Sequence, residues 1–213
     1  MTSSSRRLAA AAAIAFSLGS LGCLRSYNTT PLSPAALNLE APAQEGLDLR
    51  TKAYFNAAEI AEKFGTKLAE DRQVIPVQVL ISNRGTDAFR VLRASFILEA
   101  TPERVQLGAM TPEQMYQIGR HGYGKPVCGM IFGGVLGLPS LITTLNANNK
   151  LQADYQRKTF VDALLPPAGE ASGVVFFDPE PFRLKRNGRY TLRVEMENLR
   201  TKVQVILEQP LGA

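Results

Sequence analysis

Residues 74–100 read Val-Ile-Pro-Val-Gln-Val-Leu-Ile-Ser-Asn-Arg-Gly-Thr-Asp-Ala-Phe-Arg-Val-Leu-Arg-Ala-Ser-Phe-Ile-Leu-Glu-Ala. The first nine are rich in β-branched residues, which fit a pleated surface that is at least half buried. Asn83-Arg-Gly-Thr-Asp87 is a turn, since Asn, Gly and Asp tolerate the backbone angles that turns require. Ala88 to Ala100 is a second β run, carrying Phe89, Val91, Leu92, Phe96 and Leu98. Two such runs around a glycine turn predict a hairpin. Pro76 cannot donate to a ladder, so it predicts an edge position or a strand start.

The C-terminal third keeps the same rhythm. Phe160 to Leu165 and Gly173 to Phe177 read as strands, separated by Pro166-Pro167-Ala168-Gly169. Arg186-Asn187-Gly188-Arg189 predicts a tight hairpin of type I′, in which Asn-Gly is favoured. From Tyr190 to Glu197 the chain alternates: Tyr190, Leu192, Val194 and Met196 on one side, Thr191, Arg193, Glu195 and Glu197 on the other. Val203 to Leu207 closes the set. Arg104 to Leu107 and residues 50–54 add short strands. About seven short strands with turns between them predict a mainly β fold, an antiparallel β-sandwich of immunoglobulin-like type. The Cys…Trp…Cys signature of antibody domains is missing, and the chain has no tryptophan.

One helix precedes the break between the β halves and a second opens it. Asn56-Ala-Ala-Glu59 has the spacing of a helix start, and Ala57, Ile60, Ala61 and Phe64 recur at helical period before Gly65. Thr111-Pro-Glu-Gln114 pairs an N-cap hydroxyl with a glutamine three residues on and a proline at the first helical position. Residues 111–158 interrupt the β pattern. Pro126 to Asn149 holds no charged residue, and Gly129, Gly133 and Gly137 stand four apart. That spacing lines three glycines along one helical face, where a second helix could approach closely. Pro139 predicts a break and Ser140 a restart, and the chain turns polar toward Lys158. The segment therefore reads as a glycine-rich helical hairpin inserted into the sandwich. The alternative is a surface, 126–145, for membrane contact or self-association; Pro139 and the glycines argue against a straight span.

Composition excludes several chemistries. The chain has 24 basic and 19 acidic residues, and the first 22 residues hold two of the basic ones, leaving +3. The basic residues are scattered and no run alternates with aromatics, so nucleic acid is excluded as a partner. The one histidine, His121, lies in a glycine-rich loop beside Arg120, and no carboxylates show ligand spacing, so neither a metal site nor a cofactor is expected. Gly119-Arg-His-Gly-Tyr-Gly124-Lys125 mimics a phosphate loop. Pro126 stands where Ser or Thr should hold magnesium, so nucleotide binding is rejected. Cys128 sits among apolar residues and reads as a buried, inert thiol. Asp178 and Glu180 flank Pro179. A hydrolase acting on the cell envelope would need such an acid pair, but loop acids of this kind usually face solvent.

The N-terminus carries the one specific signal. Arg6 and Arg7 precede an apolar run, Leu8 to Leu18, shorter than the roughly 20 residues that span a bilayer. Small residues follow, ending Gly19-Ser20-Leu21-Gly22-Cys23. This resembles the lipobox of bacterial lipoproteins, with Ser20 departing from the usual leucine. The resemblance implies removal of residues 1–22 and acylation of Cys23, and so a protein tethered to a membrane on the periplasmic side of the cell envelope. Leu24 is not the aspartate that retains some lipoproteins at the inner membrane, so the outer membrane is implied. Ser5-Arg6-Arg7 faintly resembles a twin-arginine export signal, without the residues that normally follow.

The expected organisation is a signal peptide over 1–22, a lipidated cysteine with a flexible Pro- and Ser-containing tether over 23–50, and a β-sandwich domain over 51–213. The expected role is non-enzymatic binding or scaffolding, with the membrane held through Cys23 and an envelope protein as partner.

Overall fold

The computed structural model describes residues 27, 29–32, 37, 39–40, 44–66, 68, 74–120 and 137–212. By internal packing the chain divides into two units, residues 28–119 with 152–213, and residues 1–27 with 120–151. The elements in chain order are β1 (Leu39–Glu40), β2 (Leu47–Ala53), α1 (Ala57–Phe64), β3 (Ile75–Asn83), β4 (Phe89–Thr101), β5 (Val105–Gly108), α2 (Pro112–Gly119), α3 (Gly137–Lys158), β6 (Ala163–Leu165), β7 (Glu170–Phe177), a single 3-10 turn (Glu180–Phe182), β8 (Arg189–Asn198) and β9 (Gln204–Leu211). Helix α3 runs through the boundary between the units.

The larger unit is mainly β, with two antiparallel sheets. One has the order β1-β2-β3-β7. The other has the order β5-β4-β8-β9, with β6 also paired to β4. Alternation along each strand sends one set of side chains into a shared core. From the first sheet come Leu47 and Leu49, Ile75, Val77, Val79 and Ile81, and Val175 and Phe177. From the second come Phe89, Val91, Phe96 and Leu98, Tyr190, Leu192, Val194 and Met196, and Val205, Leu207 and Leu211. The alternation expected over 190–197 is observed.

The expected hairpin between the first two β runs does not form. β3 and β4 lie in different sheets. Both edges of β3 are taken, by β2 over Leu47–Ala53 and by β7 over Glu170–Phe177. Period-two alternation is identical for a hairpin and for a chain that arches between two sheets, so the pattern could not separate them. The arch is held by Asn83, whose side-chain amide donates to the carbonyls of Asp87, Leu165 and Pro166 and whose oxygen accepts from Gly85 N–H. Asp87 in turn accepts from Arg200 through two nitrogens, at 2.7 and 2.9 Å, and from Asn198. Pro76 sits at the second position of β3, just beyond the last β2 pair, Ala53 with Val77, so it occupies a strand start.

The turn at 186–189 is also not a hairpin turn. Neither Asn187 nor Gly188 has positive φ, and β8 pairs with β4 and β9 only. The chain enters β8 from the 3-10 turn through a corner closed by Gly188 N–H to Lys185 C=O and by the Tyr190 hydroxyl donating to the same carbonyl at 2.5 Å.

The helix signals were legible. Asn56 Oδ1 accepts from Ala58 and Glu59 N–H at 2.8 and 3.4 Å, and Gly65 closes α1 at φ 98°. Thr111 and Gln114 form a reciprocal cap on α2: Gln114 N–H to Thr111 Oγ1 at 3.1 Å, Thr111 N–H to Gln114 Oε1 at 2.7 Å. Helix α3 is described from Gly137 and runs without interruption through Pro139 and Ser140 to Lys158, so the expected break and restart are not seen.

β7 carries one close approach that only glycine allows. Phe160 N–H bonds to Val174 C=O, and Thr159 bridges Val174 in parallel. A Cβ on Gly173 would lie 2.5 Å from Phe160 Cα and 2.7 Å from its nitrogen. Gly173→Ala is therefore expected to lower stability by about 2 kcal/mol, as overpacking against fixed backbone does. Urea unfolding of the variant and the parent reads this directly, and coincident midpoints would sink the assignment.

Candidate functional site

The outer face of the β1-β2-β3-β7 sheet is covered as well as its inner face. Phe176 and Val174 of β7 point away from the inter-sheet core and are fully buried. They meet α1 and the end of α3. Phe64 packs edge-on to Phe176 with ring centroids 5.4 Å apart and to Tyr54 at 5.2 Å, and Tyr155 meets Phe176 at 5.9 Å. Offset and edge-on pairs of this kind add to simple area burial. The two phenols are satisfied inside the layer. Tyr54 donates to Gln78 Oε1 at 2.7 Å, and Tyr155 donates to Phe64 C=O at 3.1 Å.

At the edge of this aromatic layer lies a polar knot. Lys158, the last residue of α3, is nearly buried, with its side chain 8% exposed. Its ammonium reaches Asp154 Oδ2 at 2.7 Å, Thr29 Oγ1 at 3.0 Å and the carbonyl of Lys63. It also lies 5.6 Å above the centre of the Phe64 ring. Thr29 Oγ1 donates to Asp154 Oδ2 at 3.1 Å. Next in the chain, Thr30 N–H bonds to Glu62 C=O at 3.0 Å, and its hydroxyl donates to Glu62 Oε1 at 2.9 Å and accepts from Lys63 Nζ at 2.6 Å. Burial pushes the Lys158 ammonium below the usual lysine range, while the bond to Asp154 and its charge pull the other way. A buried ammonium is tolerated only when its protons are all placed, and three acceptors surround this one.

This knot changes the reading of the N-terminal segment. Thr29 and Thr30 are bonded to the folded unit, and β1 and β2 begin at Leu39 and Leu47. The boundary at residue 50 thus falls inside β2. Proline and serine content marks a segment without helical or strand periodicity, but side-chain hydroxyls can still dock such a segment. Asp154 and Lys158 stand at the i, i+4 spacing of a helical ion pair. That was the one sequence signal for the knot, and nothing in the sequence linked it to Thr29.

Beside the knot is a cleft of about 470 Å³. Thr29, Thr30, Pro31, Leu32 and Leu37 form one wall, and Leu80, Ser172, Glu170 and Arg157 form the other. Its lining mixes apolar carbon with charges of both signs. Elsewhere, Leu92, Val161 and Leu164 expose large apolar side chains.

Of the residues singled out from the sequence, Cys23, His121, Cys128, Gly129 and Gly133 lie outside the described residues. Gly137 is the first residue of α3. Asp178 and Glu180 are close, but Asp178 Oδ1 accepts the Glu180 N–H at 3.0 Å, a local turn bond two residues on. Among the described residues, no group of three or more His, Cys, Asp or Glu could hold a metal ion. No helix of the described residues is long and apolar enough to cross a membrane. No protein-family model and no curated protein sequence matches this chain.

Removing Asp154 would leave the Lys158 charge without its anion. Asp154→Ala is expected to cost about 2 kcal/mol, as breaking a largely buried pair does, and to detach Thr29. Amide exchange read at Thr30 should rise in the variant. Unchanged protection there would refute the docking role of the knot.

The phenols give a pH signature. Burial pushes Tyr54 up to about 12 from 10.0, with the Glu59 charge adding to the effect. Burial, then the Asp154 charge, raises Tyr155 as well. Below pH 10 folded and unfolded chains both hold these protons. Between pH 10 and about 12 the unfolded chain releases the Tyr54 proton and the folded one keeps it. Stability must therefore fall as pH rises through that window. Tyrosinate absorbance at about pH 11 should be lower in the native protein than in denaturant, and equal absorbance would contradict the buried hydroxyl bonds.

Proposed function

We propose that this chain is a lipid-anchored, non-enzymatic binding or scaffolding protein of the bacterial cell envelope. Acyl chains on Cys23 hold it on the periplasmic side, at the outer membrane. Its partner is an envelope protein engaged close to the membrane surface. The carrying observation is the docking of Thr29 and Thr30 onto α1 and α3. Only five residues lie between Cys23 and Thr29. A chain of that length spans at most about 20 Å. A free tether from 23 to 50 would instead reach about 30 Å on average and far more when stretched. A short leash suits a protein whose work is done at the bilayer surface.

Two observations favour an immunoglobulin-like connection for the sandwich. The strand order β2-β3-β7 facing β5-β4-β8-β9 has the sequence of neighbours that such sandwiches use. The Tyr190 hydroxyl bonded to Lys185 C=O, at the entry to the strand that follows the corner, has the form of a tyrosine corner. On this reading residues 111–158, including the glycine-rich segment, are an insertion between the fifth strand and the last four. The bond from Glu180 N–H to Asp178 Oδ1 supports a structural rather than a catalytic role for that pair.

Expression of the full chain in a Gram-negative host tests the anchor. The intact mass of the membrane fraction should lack residues 1–22 and carry diacylglycerol on Cys23, and Cys23→Ser should abolish both. Retention of residues 1–22, or cytosolic protein without acyl mass, would overturn the proposal.

A further inference from the structure

The Asn-Gly pair at 187–188 does not make the hairpin that its chemistry favours, yet the corner depends on half of it. A Cβ on Gly188 would lie 3.2 Å from Lys185 O and 3.2 and 3.3 Å from two ring carbons of Tyr190, the side chain that closes the corner. Packing therefore holds this position to glycine. Asn187 is exposed, and its side chain bonds to no described residue. An unengaged primary amide thus stands next to a main-chain nitrogen that no side chain shields. We propose that Asn187 is a self-modification site, which deamidates in the folded protein to aspartate and isoaspartate.

The reaction needs only water. The Gly188 nitrogen loses its proton to solvent and attacks Asn187 Cγ. The N–Cγ bond forms, the Cγ–Nδ2 bond breaks, and the leaving nitrogen takes up a proton and departs as ammonia. Water then opens the cyclic imide. Opening at the side-chain carbonyl gives aspartate; opening at the main-chain carbonyl gives isoaspartate, in which the main chain runs through the former side chain. The brake is the bond from Gly188 N–H to Lys185 C=O, at 3.1 Å. Exposed backbone bonds in loops open at low free-energy cost. Arg183, Lys185 and Arg189 are exposed close by in the chain, and nearby cations favour the anionic nitrogen and oxyanion through which the step passes. The other described asparagines lack this combination. Asn56, Asn83 and Asn198 accept main-chain N–H bonds, and Asn148 is buried. Asn146 and Asn149 stand inside α3, where the next N–H is bonded along the helix and the next residue carries a side chain. Isoaspartate lengthens the main chain at the entry to β8, which works against the bonds that Gly188 and Tyr190 make to Lys185.

The full chain is incubated at mildly alkaline pH without denaturant. Samples are read by peptide mass and by methyl transfer from S-adenosylmethionine with a protein isoaspartyl methyltransferase, which marks isoaspartate. The peptide holding Asn187 should gain the mass of exchanging NH2 for OH at least about ten-fold faster than the peptides holding Asn146 and Asn149, the rate ratio of a modest barrier difference. Methyl acceptance should rise in step. Asn187→Gln, a substitution at an exposed position, keeps an amide but strains the ring closure, and should remove both signals. Intact Asn187 in the native protein, with conversion only in urea, would show that the bond to Lys185 shields it and would overturn the proposal. Undiminished methyl acceptance in Asn187→Gln would place the isoaspartate elsewhere and overturn it equally.

Discussion

Phe176 and Phe177 are consecutive on β7, point to opposite faces, and are both fully buried. That single constraint organises the larger unit. A strand whose two faces are both apolar must be covered twice. The inner cover is the second sheet, reached by the arch from β3 to β4. The outer cover is α1 with the end of α3, which supply Ile60, Phe64 and Tyr155. β3 obeys the same rule: its first five residues, Ile75 to Val79, are all buried. The two sheets are thus unequal. One is an interior layer with helices behind it, and the other, through β8 and β9, keeps an outward row of Arg193, Glu195, Glu197 and Glu208.

The polar knot follows from that cover. Where α3 ends over the sheet, a lysine is caught at the margin of an aromatic layer and cannot be left unpaired. Asp154 from the preceding turn and the Lys63 carbonyl at the end of α1 meet most of the need. The remaining acceptor is Thr29, from a segment with no secondary structure of its own. Docking of the N-terminal segment at Thr29 and Thr30 therefore arises where two helices end together on a sheet.

Much of this was legible in the residues. Strand alternation over 190–197, the caps on α1 and α2, and the mainly β character follow from period and side-chain chemistry within a few residues, which are local properties. The failures share a cause. The 83–87 turn and the Asn-Gly at 187–188 both carry hairpin chemistry, yet one is an arch and the other a corner. Which strand pairs with which depends on contacts made far away, here on β2 and β7 occupying both edges of β3, and on Tyr190 closing back on Lys185. Local spacing holds no record of those contacts.

Residues 1–23 stand apart, because their reading depends on recognition of a linear signal rather than on a fold. By itself the sequence determined the alternating strands and the caps of two helices, since each is written in neighbouring residues. Only the tertiary structure decided that Thr29 belongs to the folded unit and that Lys158 is buried. Those facts join residues as far as 129 positions apart, through packing that no local pattern encodes.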